Sequence, residues 1–189
     1  METIGALQGR GAEYYQKLGY ALQKNKKYAE AIDAYLKADT LKPDNIWNNR
    51  HLAICYRLNR NYQAALSYYK KVEEATPEDT NVIFHIGSCL AELGQYEEAA
   101  NYFFKLDFIE SNCIKAWRGI GWCSFISRKY EQAMKYYEKI IEQKPLAIDY
   151  MNAGHVAWTM GDIQKAAALY GKSITANGNR ERFLEMFRK

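Results

Sequence analysis

Proline, cysteine and long apolar runs are all scarce in this sequence. Only 3 of its 189 residues are proline and only 4 are cysteine, which excludes a collagen-like chain and a dense disulfide framework. No apolar run approaches the roughly 20 residues that a membrane-spanning helix needs. The first seven residues hold neither a basic segment nor a continuous apolar stretch. We therefore expect no signal peptide and a cytoplasmic protein, unless the sequence is a mature or excised piece.

Excess charge is also small. The 26 basic and 22 acidic residues leave a net charge of +4, which is too little to predict a phosphate-binding track or an anionic membrane as partner. Hydrophobic residues, in contrast, make up 48% of the sequence, and 16 of the residues are tyrosine. This composition excludes a disordered chain and predicts an extensive core rich in aromatic rings.

The residue patterns of common catalytic sites are missing as well. The sequence has no phosphate-binding glycine loop, no nucleophile elbow and no convincing pair of catalytic carboxylates. Acidic pairs such as Glu73-Glu74 and Glu97-Glu98 are typical of solvated helix faces. We predict a protein that is not an enzyme and that uses no cofactor or metal.

What the sequence does contain is a period of 34 residues. Pro43 and Pro77 lie 34 residues apart, and Pro145 follows two periods later. Four further columns keep the same step, with the last member one residue early. They are a tyrosine column (Tyr28, Tyr62, Tyr96, Tyr130, then Ile163), an alanine column (Ala31, Ala65, Ala99, Ala133, Ala166), a ring column (Tyr35, Tyr69, Phe103, Tyr137, Tyr170) and a small-residue column (Gly19, Ala53, Gly87, Gly121, Gly154).

Each period predicts two helices joined by a short turn. In the second period, Leu52 and Tyr56 lie on one side of a first helix, and residues 59–61 form the turn. A second helix follows and ends before proline, which cannot continue the hydrogen-bond ladder. The small column lets the two helices approach closely, and the ring column fills the space beside them. Because so short a pair cannot bury its apolar face alone, neighbouring pairs must stack.

A small residue, an x-Tyr-x-x-Ala turn, a bulky ring and a closing proline at this step together resemble the tetratricopeptide repeat. The resemblance implies an all-α solenoid of helix-turn-helix repeats wound into a right-handed superhelix, as a single domain over residues 1–189. The five repeats cover about residues 12–45, 46–79, 80–113, 114–147 and 147–178.

The end of the chain is predicted to form one more helix. Residues 180–189 place Phe183, Leu184 and Phe187 on one side and charges on the other. We interpret this segment as a capping helix over the last repeat, and the first helix of a truncated sixth repeat is the alternative.

In the resembled family, the first helices line a concave groove that binds protein segments. The positions of this sequence that match the inward-facing ones have Arg50 and Arg57 beside Lys17 in the amino-terminal part and aromatic rings in the carboxyl-terminal part. The resemblance therefore implies a groove that binds a peptide or an extended protein segment, unless curvature or the capping helix buries some rings. Its predicted contact residues are Trp47, Arg50, Arg57, Phe84, Arg118, Trp122, Phe125, Met151 and Trp158.

The partner is predicted to be an unidentified protein or peptide, with no nucleic acid and no membrane. The family's clamp for a chaperone's terminal carboxylate is disfavoured, because the matching positions lack its lysines and arginine and hold His51 and His85 instead. A dedicated client or secretion-type chaperone and an empty spacer remain alternatives, and end-to-end pairing into a homodimer is left open.

A metal- or thiol-dependent enzyme is the alternative of another class. His51 and Cys55 are four residues apart, and His85 and Cys89 repeat that spacing, so two adjacent helices could supply four zinc ligands. The simpler interpretation is that the period duplicates a groove histidine and a packing cysteine. Cys55, Cys89 and Cys123 share one column with Ala21 and Val156, which is typical of small buried residues.

Overall fold

The computed structural model describes residues 11–177, and these form helices and turns without any strand. The described part therefore has the all-α helical-repeat architecture that the period predicts. In chain order, its ten helices are α1 (Ala12–Lys24), α2 (Tyr28–Leu41), α3 (Ile46–Leu58), α4 (Tyr62–Ala75), α5 (Thr80–Glu92), α6 (Tyr96–Ile109), α7 (Ile114–Ile126), α8 (Tyr130–Ile141), α9 (Ala147–Thr159) and α10 (Ile163–Asn177).

The helices belong to two compact units. Unit 1 extends to Gly94 and contains α1 to α5, and unit 2 begins at Gln95 and contains α6 to α10. Within each unit every helix packs against the next one along the chain wherever a described contact is recorded, and first helices of consecutive repeats also touch, as α1 and α3 or α7 and α9. The predicted stacking in sequence order is therefore confirmed inside each unit.

Helix ends lie where the turn residues and prolines predict them. The turn at residues 59–61 separates α3 from α4. Helices α2 and α4 end two residues before Pro43 and Pro77, and α8 ends four residues before Pro145. Side chains of Asn45, Asn61 and Asp79 accept hydrogen bonds from the backbone N–H groups that open α3, α4 and α5, which satisfies donors left free at a helix start.

The small and ring columns pack against each other inside a repeat, as predicted. A methyl group placed on Gly19 would lie 2.8 Å from Cε1 of Tyr35, and one on Gly154 would lie 2.7 Å from Cε1 of Tyr170. The glycines are needed because the rings lie directly against their backbone. Tyr35 has no exposed surface, and burying a ring of this kind stabilises the fold by about 1.5–3 kcal/mol.

Each ring also contacts the first helix of the following repeat. The ring of Tyr35 stacks on His51 with centroids 5.6 Å apart, and Tyr69 stacks on His85 at 5.4 Å. In unit 2 the ring of Phe103 lies against Gly119. One ring per repeat thus joins both the hairpin and the stack.

Two expectations need separate mention. The capping helix at 180–189 lies outside the described residues. Among residues 11–177, no helix combines the length and the apolar character needed to cross a bilayer.

Candidate functional site

The predicted contact residues lie on the first helices of the repeats. Unit 1 contributes residues from α3 and α5, and unit 2 contributes residues from α7 and α9. We call these two sets the unit 1 surface (Trp47, Arg50, Arg57 and Phe84) and the unit 2 surface (Arg118, Trp122, Phe125, Met151 and Trp158).

Aromatic rings form the centre of the unit 1 surface. The rings of Trp47 and His51, one helical turn apart on α3, have centroids 4.0 Å apart. Tyr20 of α1 lies 5.6 Å from His51 and 6.3 Å from Trp47. Trp47 and Tyr20 are 43% and 41% exposed. The amino-terminal unit is therefore aromatic as well as basic, which the sequence analysis had not emphasised.

Hydrogen bonds fix His51 beneath these exposed rings. Its Nδ1 lies 2.9 Å from Oε1 of Gln23, which also accepts a hydrogen bond from the hydroxyl of Tyr35 at 3.0 Å. Because a carbonyl oxygen can only accept, Nδ1 carries the proton and Nε2 carries the lone pair. Burial lowers the pKa of His51, and the charges of Arg50 and Lys24 lower it further, so the ring is neutral at pH 7.

The site prediction did not include Tyr20, His51 and Gln23 among its contacts. All three occupy inward-facing positions of the repeat pattern, so the signal was present in the period. Their mutual contacts join α1 to α3, and a pattern within one repeat cannot show such contacts.

Arg50 is held by an acidic partner. Its Nη1 lies 2.8 Å from Oδ2 of Asp79, the residue that caps α5. Burial alone would raise the pKa of Asp79, but hydrogen bonds from the Val82 N–H and from Arg50 bring it below the usual value. Much of the Arg50 charge is therefore already compensated inside unit 1.

Arg57 and Phe84 are half-buried members of the same surface. The guanidinium of Arg57 lies beside the hydroxyl of Tyr69; burial raises the pKa of Tyr69 to about 12, and this neighbouring charge moderates the rise. Phe84 lies at 5.5 Å from the ring of His85. Both residues support the aromatic floor more than they extend into solvent.

Arg118 of unit 2 has a stronger partner. Its Nε and Nη2 donate to the two carboxylate oxygens of Asp149 at 2.8 and 2.7 Å. Asp149 is only 1% exposed and also accepts a hydrogen bond from the Leu146 N–H at the start of α9. This paired geometry ties α7 to α9 and raises the pKa of Arg118 through the hydrogen bond to Asp149.

The aromatic part of the unit 2 surface is more open. Trp122 is 44% exposed and lies 6.2 Å from the ring of Phe125, which is half-buried. Trp158 on α9 is 59% exposed. Met151 retains only 7% exposure, because it packs into the unit, and it offers a ligand little surface. The rings of Trp122 and Trp158 are the main accessible apolar groups of this surface.

The histidine and cysteine pairs do not form a reactive group in the described structure. Cys55, Cys89 and Cys123 are free and buried, and burial raises the pKa of Cys55 to about 12 and those of the other two to about 11. A thiol with so high a pKa is a poor nucleophile and a poor metal ligand. Within residues 11–177, no three histidine, cysteine or acidic side chains are grouped as a metal site.

Comparison with known proteins gives a consistent family. Family models described as tetratricopeptide repeat match residues 57–123 and, in a second set, residues 12–45, 114–145 and 150–180. No curated protein sequence matches.

Several solved structures share the fold. YrrB, described as a tetratricopeptide repeat protein with an unusual peptide-binding site, is 20% identical, with a TM-score of 0.76 over 93% of this chain and 91% of its own. MamA of Desulfovibrio magneticus RS-1 is 16% identical, with a TM-score of 0.82 over 87% and 94%. A repeat protein of Parabacteroides merdae is 20% identical, with a TM-score of 0.71 over 94% and 76%.

Proposed function

Because this chain belongs to the tetratricopeptide repeat family, whose members generally act as non-catalytic protein-interaction modules, we propose that it binds a peptide or an extended protein segment on the first helices of its repeats. Each unit has such a surface. The observation that carries the proposal is the exposure of three of the four tryptophans, Trp47, Trp122 and Trp158, on these helices.

Exposed indole rings are unfavourable unless they serve recognition. Trp122 and Trp158 leave large apolar areas in water although the core of unit 2 contains rings buried to 1% exposure, such as Tyr137. Tryptophan is enriched among the residues that contribute most to protein interfaces, where burying the ring stabilises the complex. The fourth tryptophan, Trp117, is only 4% exposed and contributes to the core instead.

The unit 1 surface adds rigidity and hydrogen-bonding capacity. Gln23 and Tyr35 fix the imidazole of His51, so that its Nε2 is available as an acceptor for a peptide N–H. The indole N–H of Trp47 has no hydrogen-bond partner among the described residues and can donate to a peptide carbonyl. Groups that are already ordered lose little conformational entropy on binding, which favours affinity.

The charge around these rings favours a neutral or acidic segment. Lys17 and Lys24 are exposed on α1, and Nζ of Lys24 lies 5.2 Å from the ring centre of Tyr20. Arg50 and Arg118 are already paired with Asp79 and Asp149, so they orient the surfaces more than they attract a ligand. The lysines would repel a strongly basic segment.

The similarity to YrrB is in keeping with this proposal, since that protein is described as having a peptide-binding site. The two alternatives from the sequence, a dedicated client chaperone and an end-to-end homodimer, stay predictions, because no described contact favours either.

Selection of peptides on the protein tests the proposal. A random peptide library displayed on phage is selected against the wild-type chain, and the affinity of a recovered synthetic peptide is measured by calorimetry. The double variant Trp122→Ala/Trp158→Ala is expected to weaken a peptide that binds unit 2 by about 100-fold, because it removes two central aromatic contacts.

Phe108→Ala is the matched control. Phe108 is 90% exposed but lies on α6, a second helix, so its removal deletes an exposed ring outside either surface. Trp47→Ala serves in the same way for a peptide that binds unit 1. If recovered peptides bind both tryptophan variants as tightly as the wild type, the assignment of these surfaces is wrong.

A further inference from the structure

A cleft of about 320 Å³ opens in unit 2 on a part of α7 that the peptide surface does not use. It lies between α6, the end of α7 and the start of α8, and Ala100, Phe104, Ser124 and Gln132 line it. Ser124 and Ser127 lie on the opposite side of α7 from Arg118, Trp122 and Phe125, since residues of a helix rotate by about 100° each. The cleft is therefore separate from the surface proposed above.

Two small residues create this cleft. The column of Ala100 contains bulky apolar residues in other repeats, namely Ile32, Leu66 and Met134, and the column of Ser124 contains Leu22, Tyr56 and Leu90. In unit 1, Ile32 and Tyr56 pack in one hydrophobic cluster and fill the corresponding space. The fourth repeat thus lacks two large side chains that a repeat of this kind can accommodate.

The polar groups of the cleft are uncharged or already paired. The hydroxyl of Ser124, which is only 2% exposed, donates to Oε1 of Gln132 at 2.9 Å and so fixes the side-chain amide. At the rim, Nζ of Lys129 lies 3.1 Å from Oε1 of Glu97, so the two charges compensate each other. The amide N–H groups of Gln132 remain available as donors.

An apolar wall completes the arrangement. The ring of Phe104 packs edge to face against Tyr136 with centroids 5.9 Å apart, and Phe104 and Ala100 line the same cleft. A volume near 300 Å³ is at the small end of sites that bind organic ligands. Such a cleft fits a ring or a short apolar chain with one polar end.

We propose that this cleft binds a small uncharged molecule that carries an amide beside a ring or short apolar chain. The amide carbonyl accepts from the Gln132 side chain, and the apolar part contacts Phe104 and Ala100. A carboxylate in place of the amide is disfavoured, because Glu97 already pairs with the one lysine at the rim and a desolvated anion would have no cation of its own.

Benzamide is a suitable probe, and nuclear magnetic resonance of the full wild-type chain is the measurement. Benzamide is expected to give saturable shifts of the Ala100 and Ser124 backbone signals and of the Gln132 side-chain amide. Benzoate and toluene, which match its ring but lack the amide, should bind at least about tenfold more weakly, as the loss of a buried hydrogen bond predicts.

Two variants distinguish this cleft from non-specific binding. Ser124→Leu restores the residue present at Leu22 and Leu90 and should abolish the saturable shifts without loss of helicity. Gln132→Ala, which matches Ala64 in its column, should weaken benzamide by about tenfold and leave toluene unchanged. Ser67→Leu, a like change at an exposed position of α4, is the control and should bind as the wild type does.

Three results would overturn the proposal. They are a wild-type chain without saturable shifts, a Ser124→Leu variant that is folded and still binds benzamide, and a Gln132→Ala variant whose affinity for benzamide is unchanged.

Discussion

Arg50 and Arg118 show how the residue scale differs from the repeat pattern. Both occupy positions that the period assigns to ligand contact, and both are engaged by aspartates near the starts of first helices in the following repeat, Asp79 and Asp149. The pattern could not reveal these pairs because each joins two repeats through side chains that the other repeats do not share. The arginines therefore hold neighbouring helices in register.

Removing the buried carboxylate of this pair should destabilise unit 2. Asp149→Ala is expected to lower the free energy of unfolding by about 2–3 kcal/mol, since it removes the hydrogen bonds to Arg118 and to the Leu146 N–H. Urea denaturation followed by circular dichroism measures the change. Arg118→Ala and the double variant complete a cycle that isolates the pair, and additive effects would show that the two residues are not coupled.

The buried imidazole of His51 predicts how stability depends on pH. The reference pKa of histidine is 6.5, and burial lowers the pKa of His51 in the folded protein. Between these two pKa values the unfolded chain binds more protons, so stability from this residue is present above pH 6.5 and is lost as the pH falls towards the folded pKa.

His51→Asn, which introduces the residue found at Asn152 in the same column, should therefore reduce the loss of stability on acidification. Urea denaturation of both proteins between about pH 7 and about pH 5 checks this difference. His155 remains in both proteins and its contribution cancels. Equal slopes for the two proteins would contradict the assignment.

At the scale of the element, the turns between paired helices share one backbone conformation. Lys26, Arg60, Gly94, Arg128 and Gly161 occupy the same position of consecutive repeats, and all have positive φ, between 59° and 83°. Only glycine adopts this region without a steric cost. The sequence predicted the location of these turns correctly, but their conformation is visible only where the residue is glycine.

Arg60→Gly should accordingly stabilise the protein. The relief of the left-handed conformation exceeds the extra entropy of glycine in the unfolded chain, and the expected gain is about 0.5–1 kcal/mol in the free energy of unfolding. Chemical denaturation provides the measurement. Arg60→Ala is the control that removes the same side chain without freeing the backbone, and an equal gain in both variants would exclude this cause.

A second prediction at this scale concerns Gly119 in the middle of α7. Alanine favours a helix by about 1 kcal/mol over glycine, yet its methyl group would lie 2.5 Å from Cδ2 of Phe103. Gly119→Ala is therefore expected to destabilise the protein by about 1–2 kcal/mol through overpacking.

The same substitution should be less harmful, or favourable, in a Phe103→Leu background, because the smaller side chain leaves room for the methyl group. Thermal denaturation of the four proteins tests this reversal. A stabilising effect of Gly119→Ala in the wild type would show that Phe103 does not restrict this position.

At the scale of the whole molecule, the period predicts much of the fold, because every repeat uses the same small residue, ring and proline for the same physical purpose. It also places Trp47, Trp122 and Trp158 on accessible helix faces. It does not predict the burial of Met151, which depends on packing inside unit 2, or the cleft at Ala100 and Ser124, which exists because two residues depart from their columns. Features that repeat were predictable, and features of a single repeat were not.

The indole N–H signals of the four tryptophans test the account most directly. They are recorded by nuclear magnetic resonance while a peptide selected on the wild-type chain, and competing for the unit 2 surface, is titrated to saturation. We predict that the signals of Trp122 and Trp158 shift with the peptide, whereas that of Trp117, whose Nε1 donates to Oδ1 of Asp107 at 2.6 Å, stays constant. Unshifted Trp122 and Trp158 signals in the saturated complex would contradict the proposal that these exposed rings bind the partner.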